Sequence, residues 1–300
     1  GVVAVVGLLL AGVGQVLVRA AVAVLGSVGV TVTPTRAVLL STILLQGVAF
    51  GSVSLAYLRL RGLDASYLGV RVPSLRDWLT VASGWVLAFV GAVTMVVVVV
   101  VTGLDPAANR AGELGQADPL VFAVLVPVSF LLIGPGEELL FRGVIQNTLV
   151  ETTGKVPGIL LATFLFAGAH VFSLTGPLTG RAVTVLLLFV PGLVLAVSYE
   201  FTENLVVPAL VHGAYDATLF ALAFFGNAFG GGVDPTTKAV GPLPPDPRPV
   251  TPPLRLLRSA ARPTGAARWA APRARRRRGV RPWSRWPRAP PARTGSSRSR

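Results

Sequence analysis

Gly134-Pro135-Gly136-Glu137-Glu138-Leu139-Leu140-Phe141-Arg142-Gly143 places three formal charges in sequence otherwise suited to lipid. Immediately before it, Leu120 to Ile133 contains no charge at all. Further apolar runs follow it, and two of them carry a single histidine each. Ionisable groups at membrane depth are costly and therefore mark function. The stretch reads as the chemical centre of a helix inside a bilayer, and the reading of the remaining chain turns on it.

Composition supports a membrane setting. Hydrophobic residues make up 52% of the 300 and charged residues only 13%, against roughly 25% in an ordinary soluble domain. The expected fold is all-α, a polytopic transmembrane helix bundle of about seven or eight spans. No cysteine occurs, which excludes disulfides, thiolate metal sites and a cysteine nucleophile. The net charge of +14 belongs to the C-terminal stretch alone. From Pro242 onward there are sixteen arginines against one acid, Asp246, while the rest of the chain is close to neutral. The body therefore does not point to nucleic acid as a partner.

A span needs ~20 apolar residues. Candidates lie at 2–27, with Gln15 and Arg19 inside, at 37–57, 78–102 and 119–133, and then at 156–172, 182–199 and 205–229. The 134–142 segment either shares a broken span with 119–133 or makes its own. Pro135 cannot donate a backbone hydrogen bond, so a kink or restart is expected there. The polar stretch 58–77 holds Arg59, Arg61, Arg71 and Arg76 and reads as a cytoplasmic loop by the positive-inside rule. The more acidic 104–118 reads as an outer loop. Three regions result: 1–117, N-terminal transmembrane helices; 118–230, the chemical core; and 231–300, a Pro- and Arg-rich tail expected to be disordered. Its Arg-Pro-Ala-Ser-Trp vocabulary is also what an out-of-frame reading of GC-rich DNA yields. Body composition leans to a GC-rich bacterium or archaeon. Gly1 in first place points to a chain that is trimmed or begins inside its gene, and no basic region precedes the first apolar run as a signal peptide would require.

Within the charged stretch, adjacent helical residues point ~100° apart, so Glu137 and Glu138 serve different purposes. Glu138 and Arg142 are spaced i, i+4 in the favourable order for an ion pair. Glu137 has no such partner on its own helix and is free to act as general base toward water. His170 and His212 are the only histidines, both in apolar runs. His212 and Asp216 are again i, i+4, a spacing that suits two ligands of one metal, or an Asp orienting a His. Glu, His, His and Asp from three helices make up the inventory of metal-assisted or general-base hydrolysis. His-Glu-x-x-His is absent, so the site is not of the zincin type.

The order Glu-Glu-x-x-x-Arg (Glu137, Glu138, Arg142), Phe-x-x-x-His (Phe166, His170) and His-x-x-x-Asp (His212, Asp216) resembles the CPBP family of intramembrane proteases. That family includes the CAAX prenyl endopeptidases and the Abi, or bacteriocin-immunity, proteins. Phe141 and Gly143 fit the same pattern, and the resemblance runs from about Leu120 to Phe220. It implies an integral membrane endopeptidase with Glu137, Glu138, Arg142, His170, His212 and Asp216 as its site. Glu137 would activate water. His170, His212 and Asp216 would either stabilise the oxyanion or, with Glu137, hold a divalent metal, zinc being the expected ion. Asp216 stands where the prenyl endopeptidases carry Asn, and an ionised Asp cannot donate to an oxyanion. The implied partner is a membrane-associated peptide or protein. Two other classes compete: a non-catalytic membrane scaffold or immunity protein keeping this fold, and a proton-coupled transporter. A scaffold need not retain Glu137 with both histidines, and no internal repeat of the 134–142 motif supports a transporter.

Overall fold

A computed structural model describes residues 16–229, in which helices are joined by short loops. The helices are α1 (Val16–Ser27), α2 (Pro34–Arg61), α3 (Leu75–Thr102), α4 (Arg110–Ala117), α5 (Leu120–Thr153), α6 (Lys155–Phe172), α7 (Leu178–Thr202) and α8 (Val206–Phe229). Among the described residues the only β pairing is an isolated bridge between Asn109 and Leu174. Six helices, α2, α3 and α5 to α8, are long and apolar enough to cross a membrane. Helices are what a bilayer demands, because lipid offers no partner to an unpaired backbone group. Even the β-branched run Val96 to Val101 is helical, with Val96, Val100 and Val101 exposed on the outside of the bundle.

Most of the expected spans appear, with shifted ends. Of the first candidate, 2–27, only the short α1 falls within the described residues. The expected tail, 231–300, lies outside them, as does the question of its reading frame. The 134–142 segment is not a separate span: it is the middle of α5, which is 34 residues long. Pro135 neither breaks nor restarts it. The helix instead widens into π-helical turns on both sides, over Ser129–Ile133 and Leu139–Gln146.

The expected 58–77 loop is shorter than its polarity suggests. Helix α2 runs on to Arg61 and ends on Gly62 at φ 63°. Helix α3 starts at Leu75, because Ser74 and Asp77 form a capping box. The Asp77 amide donates to Ser74 Oγ at 3.3 Å and the Ser74 amide donates to Asp77 Oδ2 at 2.8 Å. Between them Asp64 caps a 3-10 turn, Ala65–Leu68. Hydrogen bonds from the Ser66 hydroxyl and amide hold the exposed Asp64 carboxyl below its ordinary range. The expected outer loop likewise contains α4, which begins where the Asn109 side chain accepts from the Ala111 amide at 2.8 Å.

Helix α5 is the axis of the bundle. Gly134 and Gly136 do not interrupt it; they bring neighbours close. A Cβ on Gly134 would lie 2.6 Å from the Ala209 carbonyl oxygen of α8. A Cβ on Gly136 would lie 2.5 Å from the Gln46 carbonyl oxygen of α2. Small residues of this kind let membrane helices touch backbone to backbone. On the opposite faces Phe141 meets Phe166 of α6 edge-on at 5.2 Å, and Phe50 of α2 at 6.0 Å. The buried cluster around them includes Leu140, Ile145, Leu149, Leu195, Val207 and Val211.

One crossing by each of the six long apolar helices among the described residues would place Ala65 at one end of the bundle and Gln116 at the other. The Ala65 end gathers Arg59, Arg61, Arg71, Arg76 and Lys155, the other end Arg36, Arg110 and Arg181, so the positive-inside rule leads one to expect the former in the cytoplasm. The natural chain lacks cysteine, which makes single-cysteine labelling clean. In intact cells a membrane-impermeant maleimide is expected to modify the Gln116→Cys variant and leave Ala65→Cys untouched until the membrane is opened. The reverse pattern would invert the orientation, and labelling of both from one side would overturn the span count.

Candidate active site

The two carboxylates of the charged stretch face different helices, as their ~100° separation requires. Glu138 faces α8 and is fully buried. Its Oε2 stands 3.0 Å from Arg142 Nε, both side chains being at zero exposure. The contact is an ion pair in which the N–H is turned off the direct line to the oxygen, since neither atom completes a hydrogen bond. Arg142 gains further support from α6 and α7. Its Nη2 donates to the Gly192 carbonyl at 3.3 Å, and its guanidinium carbon lies 4.5 Å from the centre of the Phe166 ring. Gly192 allows this, because a Cβ there would meet Phe166 Cδ1 at 2.9 Å.

His212 completes the buried group from α8. Its Nδ1 donates to the other Glu138 oxygen, Oε1, at 2.8 Å. Its Nε2 lies 3.5 Å from Asp216 Oδ2, one turn further along the same helix. Asp216 keeps a fifth of its side chain exposed while His212 is almost closed off. Arg142, Glu138, His212 and Asp216 thus form one chain of alternating partners across α5 and α8. The bond from His212 to Glu138 is invisible in the sequence, where 73 residues separate them.

Glu137 points the other way, toward α2 and α6. Gln46 Nε2 donates to its Oε1 at 3.2 Å. Its Oε2 is buried without a hydrogen-bond partner and lies 4.0 Å from His170 Nε2. His170 ends the α-helical part of α6 and is held by its own turn: Nδ1 donates to the Phe166 carbonyl at 2.9 Å. With the Nδ1 hydrogen so used, the neutral ring presents a lone pair at Nε2. Phe166 links the two halves of the site, edge-on to His170 at 4.9 Å and to His212 at 5.8 Å. Three of the six residues singled out in the sequence, Arg142, His170 and His212, therefore pack on one aromatic ring, and the other three are linked to them directly, at the level where α5 is flanked by π-helical turns. Such turns recur at functional sites.

Two pairs, Glu137 with His170 and His212 with Asp216, supply oxygen and nitrogen donors of the type zinc takes. Among the described residues, however, no three His, Asp or Glu side chains gather as a set of metal ligands. His212 offers one ligand atom, Nε2, its Nδ1 being committed to Glu138 as is usual for a metal-binding histidine. The side chains stand as two separate pairs rather than one converging set, and no step below passes through a metal.

The polar network extends beyond the motifs. One turn after Arg142, the buried Gln146 donates to the Ala196 carbonyl at 3.0 Å and to Glu200 at 3.4 Å. Glu200 in turn pairs with Lys155 at 2.9 Å. The seam joins α5 to α7 and, through Lys155, to the start of α6. Neither Gln146 nor Gln46 belongs to a motif of the sequence. The available signal was their chemistry, a lone amide within an apolar helix, because such groups must find a partner in lipid.

Residues 119–218 match the family described as Rce1-like, Type II CAAX prenyl endopeptidase Rce1-like. The match spans every motif residue from Glu137 to Asp216 and leaves α2, α3 and α4 outside. No curated protein and no solved structure matches the chain.

The buried pair makes a stability prediction. Removing one partner of a fully buried ion pair typically costs about 3–5 kcal/mol, because the other charge is left uncompensated. Arg142→Met is expected to lower unfolding stability in detergent by an amount of that order, and Arg142→Lys, which cannot reach both Glu138 and Gly192 with a fork, by less. A change within measurement error in Arg142→Met would show that the pair does not hold the helices.

Proposed function

The chain carries in residues 119–218 the core of a CPBP family intramembrane protease, and on that footing we propose that it hydrolyses a peptide bond of a membrane-associated peptide or protein, with Glu137 as the base. One observation carries the reading. Glu137 Oε2 is buried and unpartnered, 4.0 Å from a histidine nitrogen that presents a lone pair. That gap is too long for a direct hydrogen bond and suits a water bridging the two. Such a water donates one hydrogen to Glu137 and the other to His170, leaving its oxygen lone pair free for the scissile carbonyl.

Attack transfers the water proton to Glu137 and forms a tetrahedral centre. Collapse breaks the C–N bond, and the leaving nitrogen takes the proton from Glu137. The products are a new carboxylate terminus and a new amine, with nothing oxidised or reduced. Both transfers are general acid–base work by one carboxyl, worth typically 10²–10⁴-fold in rate.

His212 is the donor to the developing oxyanion. Its Nδ1–H is engaged by Glu138, so donation from Nε2 requires the imidazolium form. Glu138 and Asp216 flank that ring, and with Arg142 the four charges balance. Fixed charges in a water-poor site need no reorganisation when the oxyanion forms. Asp216 orients His212 instead of donating, which accommodates Asp where the prenyl endopeptidases carry Asn. Arg142, at zero exposure, holds Glu138 and the helix; binding of a substrate carboxylate would require it to leave that pair.

The test is cleavage of a quenched peptide library, with a prenylated peptide included, in liposomes. Glu137→Ala and His170→Ala are each expected to lower kcat/KM at least about 100-fold. Equal activity of wild type and Glu137→Ala would end this reading and favour a non-catalytic scaffold. Dialysis against a chelator is expected to leave activity intact. Loss on dialysis, restored by zinc, would establish a metal and reassign the histidines as its ligands.

A further inference from the structure

We infer that Gln46, on α2 and outside the family-matched segment, is a positioning residue for Glu137. The inference rests on the reading of Glu137 as the base. A carboxylate on a helix turns freely about its last bonds unless one oxygen is held. Gln46 Nε2 holds Oε1 at 3.2 Å, and this directs Oε2 toward His170. The backbone is built to bring that amide in. Gln46 lies in a π-helical stretch, Ile43–Phe50, and its carbonyl oxygen sits where a Cβ on Gly136 would be only 2.5 Å away. Gly136 precedes Glu137 directly, so the close approach and the hydrogen bond are one contact.

A purely structural role does not account for the amide. Gln46 Oε1 is buried and has no partner. An unsatisfied carbonyl away from water costs stability, where an apolar side chain of the same length would not. A residue that costs stability beside a reacting group is the signature of a functional constraint. Oriented groups matter because small displacements from the reactive geometry cost large factors in rate.

The experiment compares wild type, Gln46→Met and Gln46→Glu in liposomes, reading kcat, KM and the thermal unfolding midpoint of each. All three side chains have the same reach. Gln46→Met removes the donor and is expected to lower kcat about 10- to 100-fold, with KM changed less than about 3-fold and the midpoint unchanged or raised. Gln46→Glu replaces the donor by an acceptor facing Glu137 and is expected to be slower still, although it is the closer match to Gln in shape. A packing role predicts the opposite order. The inference is overturned if Gln46→Met keeps wild-type kcat, or if its loss of activity is matched by a lowered midpoint and loss of folded protein. Glu137→Ala in the same assay separates the two levels. Full activity there would sink the base itself; an inactive Glu137→Ala beside a fully active Gln46→Met would sink only the role of Gln46.

Discussion

A carboxylate and a guanidinium, both closed off from water, set the terms for this fold. Neither Glu138 nor Arg142 can be left alone in the interior of a membrane bundle. Their pairing on one helix satisfies the Coulomb requirement but not the remaining hydrogen-bonding groups. Those reach out to Gly192 on α7, to the Phe166 ring on α6 and to His212 on α8. Burial of one ion pair therefore determines which three helices must surround α5, and at what height. The glycines are the steric counterpart: Gly134 brings α5 onto the α8 backbone, and Gly192 on α7 leaves the Phe166 ring the space a Cβ would take.

The same arrangement divides the labour of the two adjacent glutamates. Glu138 has all its neighbours supplied by the protein and is locked. Glu137 has one oxygen held and the other unpartnered. A carboxylate held between His212 and the Arg142 charge is committed to the fold, while one with an oxygen that meets neither a donor nor a cation at close range is open to a further partner. Rotation of ~100° about the helix axis is enough to produce the difference. The aromatic ring of Phe166 then keeps the two environments apart while touching both histidines.

What the chain's N-terminal helices add is less obvious from the motifs. Helix α2 approaches α5 at Gly136 and delivers an amide to Glu137. Helix α3 lines the bundle along α7 and α8, where Gly84 and Gly91 come up against Val211 and Val190. The site is thus made by the family-matched segment and finished from outside it. This division leaves the chemistry in one segment and part of its geometry in another.

The membrane setting and the positions of the apolar runs follow from composition, and so were open to a reader of the sequence alone, although the seven or eight spans it suggests become six among the described residues. Apolar length sets a span because the bilayer has one thickness. The i, i+4 pairs Glu138–Arg142 and His212–Asp216 are set by the pitch of a helix. Caps such as Ser74–Asp77 and Asn109 are equally local, but a polar run reads as loop before it reads as a helix start. The continuity of α5 through Pro135 was not legible, because whether a proline breaks a helix depends on which neighbours steady it. Nor were His212 to Glu138, Gln46 to Glu137 and Gln146 to Ala196, separated by 73, 90 and 49 residues in the chain. No local rule links residues at such distances. Only close packing at glycines, against backbone at Gly134 and Gly136 and against the Phe166 ring at Gly192, decides which buried polar group meets which, and it is that choice which leaves one glutamate locked and the other with an unpartnered oxygen.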